Sequence, residues 1–315
     1  MKRVTEKRVR LGNFRVGVGG YLGLKVINRA GQVVRQGKFK NLITNWGMNR
    51  IAEDVDIGRW IRLGDVDSAP SEGQLSLMNQ TLAKLGPSWP TFVEGDPGEW
   101  DFQRTRDFDF GEATGSYKEW GMAPTELGNI ATRALFLDEL DNPTTIEVTD
   151  DEFLSATWGL HVQLSPTTTP GDGTVDITGM SPETRDIEWR FVRPGGIWEV
   201  FGLQRLINKD TMYATPKADG LPGYTEQLNF EDGDYNKAVP YSPYVPSSHE
   251  RELGEVIWEM EEANFTIKTI ILHSHTGGGG VSAMYACTFK DGHEIAKDDE
   301  HRLRLTLPKI SWERL

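Results

Sequence analysis

Hydrophobic and polar residues alternate along several stretches of the chain. The alternation is clear in residues 108–110 and 144–148, and it runs over six positions in residues 302–307. A period of two places one face of a strand in a core and the other face in water. Residues that favour turns separate these stretches, and Asp291-Gly292 fits the two-residue turn of a β-hairpin. The pattern therefore predicts a mostly β protein.

Two stretches carry a helical pattern instead. Residues 41–52 predict a short helix that is capped near Thr44 or Asn45 and turns Trp46 inward. Residues 75–85 are the second candidate. The sequence therefore predicts one or two short helices within the mostly β fold.

Four segments recur in the same order about 150 residues later. In the most specific match, an aromatic residue is followed by glycine, an aliphatic residue, an amide, arginine and a second aliphatic residue. The matched segments are residues 46–51 with 201–206, 108–111 with 258–261, 128–136 with 280–288, and 150–164 with 298–310. We interpret the recurrence as an internal duplication. The alternative interpretation is that β proteins commonly reuse acidic turns and amphipathic strands.

The duplication divides the chain into tandem domains. We expect a basic N-terminal arm with the first strands in residues 1–37, a first β-domain in 38–165, a linker rich in Pro and Gly in 166–186, and a second β-domain in 187–315. A domain of roughly 150 residues can bury about two thirds of its unfolded surface. The predicted fold is two tandem β-sandwich-like domains.

Composition and charge narrow the classes of function. The chain has 34 Lys and Arg residues against 47 Asp and Glu, for a net charge of −13. Nucleic-acid binding needs a basic face, so direct binding is not expected. No stretch approaches the roughly 18 apolar residues of a membrane helix, so we expect no membrane span. Cys287 is the sole cysteine, which excludes an intramolecular disulfide. Gly and Arg interrupt the residues after the basic start, so we expect no signal peptide and synthesis in a cytoplasm.

Two histidines could form a metal site. His273 and His275 are one residue apart, so a strand would place both imidazoles on the same face. The alternative is that they are polar residues leading into a glycine run. That run lacks the pattern of a phosphate loop and predicts a loop ordered by a neighbouring subunit; it consists of Gly277, Gly278, Gly279 and Gly280. We expect no cofactor.

Aromatic and arginine residues near predicted loops are candidates for a subunit interface. Trp120, Tyr241 and Tyr244 lie near such loops, where exposed aromatic side chains commonly mark interfaces. Glycan contact and local packing are the alternatives. Arg50 and Arg205 occupy equivalent places in the duplicated segment, and each could pair with a carboxylate of its own domain or of a neighbouring subunit.

Acidic pairs are numerous, but they do not predict an enzyme. Paired carboxylates such as Asp65 and Asp67 could hydrolyse glycosides or bind calcium. They lie beside turns, where Asp caps the backbone, and they lack the spacing of an EF-hand. The Gly-x-Ser-x-Gly motif of serine hydrolases is missing from the sequence. We therefore expect a protein without enzymatic activity.

Several segments of the first half resemble structural proteins of tailed-bacteriophage virions, namely tail fibre, tail tip and minor structural proteins. The segments are Lys40-Asn-Leu-Ile-Thr44, Trp46-Gly-Met-Asn-Arg-Ile51, residues 62–71, Glu119-Trp-Gly121 and Ala131-Thr-Arg-Ala-Leu135. The resemblance covers roughly residues 38–165 and, through the duplication, weakly covers 200–312. Its motifs are structural, so it implies a virion part and no active site.

The resemblance implies a structural component of the phage tail, as a fibre, tip, collar or connector, that acts by symmetric assembly. Its expected partners are other copies of itself and neighbouring virion proteins, and its expected location is the virion, after assembly in the host cytoplasm. Two alternatives stay open. One is a receptor-binding module that contacts host surface glycan, and the other is a capsid decoration protein.

Overall fold

The computed structural model describes residues 5–11, 13–53, 55–87, 91–94, 99–166, 172–178, 184–192, 211–215, 235–240, 242–273 and 284–315. Strands dominate these residues, which confirms the mostly β prediction. The described elements are β1 (Thr5–Arg10), β2 (Phe14–Asn28), β3 (Val33–Ile43), α1 (Asn45–Ala52), β4 (Trp60–Gly64), β5 (Gln80–Leu85), β6 (Thr91–Glu94), β7 (Glu99–Phe108), β8 (Gly115–Tyr117), β9 (Glu119–Ala123), β10 (Thr132–Leu135), β11 (Ile146–Val148), β12 (Glu152–Pro166), β13 (Asp172–Thr178), β14 (Thr184–Val192), β15 (Thr211–Thr215), β16 (Tyr235–Ala238), β17 (Glu250–Glu252), β18 (Glu255–Trp258), β19 (Thr266–Ile267), β20 (Thr269–His273), β21 (Met284–Phe289), β22 (Ile295–Ala296), β23 (His301–Thr306) and β24 (Lys309–Arg314).

The helix α1 begins where the sequence predicts it. The hydroxyl of Thr44 accepts a hydrogen bond from the backbone N–H of Gly47 at 3.0 Å, which is the bond of an N-cap residue. Gly47 is required by close packing, because a Cβ there would lie 2.2 Å from the carbonyl oxygen of Ala131. The second predicted helix is wrong. Residues 80–85 of the predicted helix form strand β5 instead, because pairing with β4 satisfies their backbone hydrogen bonds.

The chain divides into two compact units. We call Gly17–Gln163 with Glu313–Leu315 unit I, and Met1–Val16 with Leu164–Trp312 unit II. In the sheet of unit I the strands are ordered β5-β4-β9-β10-β3-β2-β12-β7-β6. Its core contains side chains with no exposed surface, including Leu22, Trp120, Phe136 and Trp158.

Unit II is built around a second sheet. Its strands are ordered β16-β15-β20-β21-β14-β13-β1-β23-β18. The alternating residues of β23 point Leu303 and Leu305 into the core, where they are fully buried with Trp258 and Tyr285. This confirms the inward face that the period of two predicts for residues 302–307.

The two sheets share one strand order. Leaving aside β1 of unit II and β6 of unit I, the two strand orders contain the same number of strands. Each strand of the unit I sheet then matches a strand of the unit II sheet, both in its position in the sheet and in its order along the chain. The two-stranded ladder β8–β11 likewise corresponds to β19–β22. The two strand orders therefore support the internal duplication.

Single hydrogen bonds fix the register of this correspondence. The N–H of Phe136 donates to the carbonyl of Lys118, and the N–H of Phe289 donates to the carbonyl of Lys268, both at 2.9 Å. Trp258 lies where unit I has Phe108, and both side chains are fully buried. The matched pair of residues 46 and 201 is not available for this comparison, because residue 201 lies outside the described residues.

The units differ from the predicted domain boundaries in two places. Strand β1 belongs to the sheet of unit II, where it runs parallel to β23 and antiparallel to β13, so residues 5–10 are not a free arm. Lys7 anchors the strand through a 2.9 Å hydrogen bond to the carbonyl of Ala296. Strand β13 lies inside the predicted linker. Pairing of β1 with β23 across almost 300 positions leaves no local trace in the sequence, which explains the first difference.

Candidate functional site

A polar groove lies on the face of the unit I sheet that points away from its core. It has a volume of about 620 Å³ and is formed by β2, β3, β7 and β12. The residues that line it are mostly polar or small: Gly23, Leu24, Lys25, Gln36, Gly37, Lys38, Thr105, Ser155 and Thr157. A cleft of this size suits a small ligand, and its walls include hydroxyl, amide and ammonium groups.

The register of the strands explains why these side chains converge. Lys25 lies opposite Gln36 and Lys38 lies opposite Gly23, so both lysines share the face that alternates with buried Leu22 and Leu24. No side chain stands at Gly23, and a Cβ there would make only an ordinary contact, 3.7 Å from the carbonyl of Thr157. The glycine leaves the middle of the groove open.

The other wall of the groove is a pair of threonines. Thr105 and Thr157 face each other across β7 and β12, and their hydroxyl oxygens are 2.8 Å apart. Next to this pair, the phenol of Tyr21 donates to Gln103 at 3.0 Å. Burial, with the nearby carboxylate of Asp101, raises the pKa of Tyr21, so the phenol stays neutral.

Lys25 and Lys38 have no carboxylate partner among the residues that the structure describes. Both side chains are exposed, and the ammonium group of Lys38 lies 4.7 Å from the ring centre of Tyr21. Lys40, the next outward residue of β3, is also exposed and also lacks a described carboxylate partner. In a chain with a net charge of −13, three lysines at or beside this groove thus lack a carboxylate partner within the described residues.

Two buried arginines, Arg133 and Arg62, hold the loops between β4 and β5 and between β9 and β10 in unit I. Arg133 and Glu119 are completely buried and form an ion pair at 2.6 Å. Arg133 also donates to Gln74 at 2.7 Å and to the carbonyl of Ser68 at 2.9 Å. The second oxygen of Glu119 accepts the N–H of Met78 at 2.9 Å. The loop between β4 and β5 is therefore tied to the core through charged groups.

The loop between β9 and β10 is held in the same way. Arg62 is 2 % exposed and donates to the carbonyls of Thr125 at 2.6 Å and Gly128 at 2.8 Å. Burial lowers the pKa of Arg62, and its bonds to carbonyl oxygens compensate for the lost solvation. These two loops carry exposed apolar side chains, namely Leu75, Met78 and Leu127, which are 50 %, 58 % and 74 % exposed.

The predicted interface aromatics lie in different environments. Trp120 has no exposed surface, because β9 runs inside the sheet and all five of its residues are buried. The prediction of an exposed contact at Trp120 therefore needs correction. Tyr244 is half-buried and packs against Trp312, with ring centres 5.5 Å apart. Tyr241 lies outside the described residues.

Arg50 forms an ion pair with a carboxylate of its own unit, which is the first of the two predicted kinds of partner. Its guanidinium contacts the carboxylate of Glu53 one helical turn later and lies 4.9 Å from the ring centre of Trp46. Its counterpart Arg205 lies outside the described residues, as do Gly277, Gly278, Gly279 and Gly280.

The predicted metal pair cannot be assembled from the structure. His273 is the last residue of β20, its side chain is not described, and His275 lies outside the described residues. Among the described residues, no group of three His, Cys, Asp or Glu side chains could hold a metal ion. Cys287 is buried, and burial raises the pKa of its thiol, which makes it a poor nucleophile.

The acidic turns form ion pairs that the duplication repeats. Lys84 contacts the carboxylate of Glu112 in unit I, and Lys237 contacts that of Glu262 at 2.5 Å in unit II. Each glutamate also accepts the backbone N–H of the residue three positions before it. These hydrogen bonds, first of all those from the lysines, lower the pKa of both glutamates. The two carboxylates therefore hold turns in place.

The sequence did not point to the groove. Lys25 and Lys38 are ordinary surface residues when they are read along the chain, and the glycines of β2 interrupt its alternation. The one available signal was the row of basic residues at alternate positions, Lys38 and Lys40, in a strongly acidic chain.

The described part of the chain contains no helix with the length and apolar character needed to cross a membrane. Comparison of the chain with known protein families, with curated proteins and with solved structures found no match.

Proposed function

We propose that this protein is a structural component of a tailed-phage virion, associated with the tail as a fibre, tip, collar or connector. It acts by symmetric assembly with other copies of itself and with neighbouring virion proteins. The resemblance of residues 38–165 to virion proteins supports the proposal. The observation that carries it is the repeated sheet, because each unit ends in an equivalent edge strand that another chain can pair with.

The two edge strands are β5 in unit I and β16 in unit II. In the described residues, β5 pairs only with β4 and β16 pairs only with β15. An edge strand presents N–H and C=O groups on its free side, which a strand of a neighbouring subunit can bind. Lys84 of β5 and Lys237 of β16 are each held by a glutamate of the same unit, which fixes both edges to their units.

The anchored loops of unit I offer a second kind of contact. Leu75 and Leu127 are at least half exposed, although buried arginines hold the loops that carry them. Apolar side chains on rigid loops lose little conformational freedom when a neighbouring subunit covers them. We therefore place a subunit contact of the assembly at these two loops.

The mass of the purified protein in solution tests the assembly. Light scattering across concentrations is expected to find a stable trimer, hexamer or larger ring. The double variant Leu75→Asp/Leu127→Asp is expected to shift the mass to that of the monomer, because it puts charges into the contact. Leu140→Asp is the matched control, since Leu140 is 81 % exposed on another loop of unit I. A monomeric wild-type protein at every concentration would contradict self-assembly.

The place in the virion needs a separate test. Antibodies against the purified protein are to be applied to particles of the phage that encodes it, and electron microscopy then shows where they bind. Binding to the tail is the expected result. Binding over the capsid surface would favour a decoration protein, and particles without any bound antibody would contradict the virion proposal.

A further inference from the structure

We propose that the polar groove of unit I binds an acidic saccharide, with Lys25 and Lys38 contacting its carboxylates and Gln36, Thr105 and Thr157 contacting its hydroxyl groups. The inference does not depend on the assembly proposed above, and either one can fail alone.

The groove carries positive charge from two lysines. Lys25 and Lys38 line it, both are exposed, and neither has a carboxylate partner among the described residues. Elsewhere in the described chain, the half-buried lysines Lys118 and Lys309 do have such partners, Asp67 and Glu250. Lysines left unneutralised in a chain of net charge −13 favour a ligand that brings negative charge.

Unit II carries the opposite charge at the equivalent positions. The hydrogen bonds to the carbonyls of Lys118 and Lys268 align β10 with β21. From there the strand registers lead through β3 and β2 in unit I, and through β14 and β13 in unit II. Lys38 then corresponds to Asp186, and Lys25 corresponds to Asp176. The duplicated sheet therefore carries acidic residues at the positions where unit I carries the two lysines. The positive charge at the groove is a property of unit I and does not follow from the fold.

The remaining side chains of the groove suit a ligand with many hydroxyl groups. Thr105, Ser155, Thr157 and Gln36 supply three hydroxyl groups and one amide, which both donate and accept hydrogen bonds. A ligand with many hydroxyl groups can satisfy them, whereas a simple inorganic anion would leave most of them in water. The volume of about 620 Å³ lies within the usual range of small-ligand clefts, which suits a short oligosaccharide.

Trigalacturonic acid is a suitable probe, and its methyl ester is the matched neutral ligand, since it keeps the ring hydroxyls and removes the charge. Isothermal titration with the full chain is expected to show saturable binding of the acid with a Kd below about 1 mM. The ester is expected to bind at least tenfold more weakly. Raising the ionic strength from about 0.05 M to about 0.5 M should weaken binding of the acid and leave the ester unchanged.

Variants assign the binding to the groove. Lys25→Gln/Lys38→Gln is expected to weaken binding of the acid by about thirtyfold, and Thr157→Val to weaken both ligands by about threefold. Gly23→Val should abolish binding, because a Cβ at that position fits without a clash and the side chain then fills the groove. Lys118→Gln is the control, since Lys118 lies in unit I but does not line the groove.

Three outcomes would overturn the inference. The first is no saturable binding of trigalacturonic acid at low ionic strength. The second is an equal loss of binding in Lys118→Gln, which would show attraction to lysines in general. The third is binding of an acidic peptide such as Asp-Asp-Glu-Asp, with the same dependence on Lys25 and Lys38, when the saccharide does not bind. That result would assign the groove to a protein partner.

Discussion

Units I and II share one strand order but present different chemistry on the face that points away from the core. In unit I the pair across the two strands is Thr105 and Thr157, beside a groove whose lysines have no carboxylate partner among the described residues. In unit II the same pair is Glu255 and Thr306, and the hydroxyl donates to the carboxylate at 3.2 Å. The duplicated fold thus determines which positions face each other across the strands, but it does not determine the chemistry of the side chains there.

Strand β1 accounts for much of this difference. It enters the sheet of unit II beside β23, where Glu6 contacts both Arg8 at 2.6 Å and Arg304 at 3.2 Å. Arg304 also contacts Glu255 at 2.6 Å. The charges of this face neutralise each other within unit II. In the described part of unit I, β2 pairs directly with β12, with no strand between them. One added strand thus brings charged groups that pair with those already on this face of unit II.

The interiors of the units differ as well, and this difference gives the largest predicted effect. The buried pair Glu119 and Arg133 of unit I corresponds in register to Thr269 and Ala286 of unit II. Arg133→Leu would leave Glu119 buried without its partner and should destabilise unit I by about 3–5 kcal/mol. Urea unfolding, with hydrogen exchange read separately in β9 and β20, should show the loss in β9 alone.

The double variant Glu119→Leu/Arg133→Leu sharpens that test. It removes both charges, so unit I should recover a large part of the lost stability. If Arg133→Leu reduced the protection from hydrogen exchange equally in β9 and β20, the result would contradict the prediction that only unit I is destabilised.

The next largest effect concerns the close packing at Gly47. Gly47→Ala would place a Cβ 2.2 Å from the carbonyl oxygen of Ala131 and should cost about 1–3 kcal/mol, as overpacking does. Gly73→Ala is the control, because no atom lies within 4 Å of a Cβ there. The free energies of unfolding of the two variants in urea measure the difference. Similar values for both variants would show that Gly47 is not a close-packing position.

Part of the pH dependence of unit II comes from Asp298, a carboxylate three residues before β23. Burial would raise the pKa of Asp298, but hydrogen bonds from His301 and Lys7 lower it to about 2 from an ordinary value of 3.8. Because the pKa is lowered in the folded state, this contribution is complete above pH 4 and is lost as the pH falls toward 2.

Asp298 is nearly half exposed, so solvent screening limits its contribution to less than about 1 kcal/mol. Asp298→Asn should remove this part of the acid-induced loss, as measured by the unfolding midpoint at several pH values. An unchanged pH profile in the variant would assign the loss to other carboxylates.

The smallest predicted effect is shared by both units. Lys84→Met and Lys237→Met each break the lysine–glutamate pair that the duplication repeats. Since the pairs are partly exposed, each substitution should cost no more than about 1 kcal/mol, and the two costs should be similar. Chemical denaturation of the two single variants gives both values. A large effect in one unit alone would show that the repeated pair has acquired different roles.

Local patterns in the sequence predicted the local parts of the fold. The Thr44 cap and the alternation of residues 302–307 depend on neighbours in the chain, and the structure confirms both. The insertion of β1 depends on strands far away in the sequence, and the burial of Trp120 depends on β9 lying between β4 and β10, so the local pattern indicated neither. The groove was missed for the same reason, because Lys25 and Thr157 converge only when β2 and β12 lie side by side.

A crystal structure of the full chain, with the strands of unit I superposed on those of unit II, tests the shared design most directly. We predict that Phe108 superposes on Trp258 and that the Thr105–Thr157 pair superposes on Glu255–Thr306. Asp186 should then lie at the position of Lys38. A strand order or register that differs between the two units would contradict the duplication and the assignment of the groove to unit I alone.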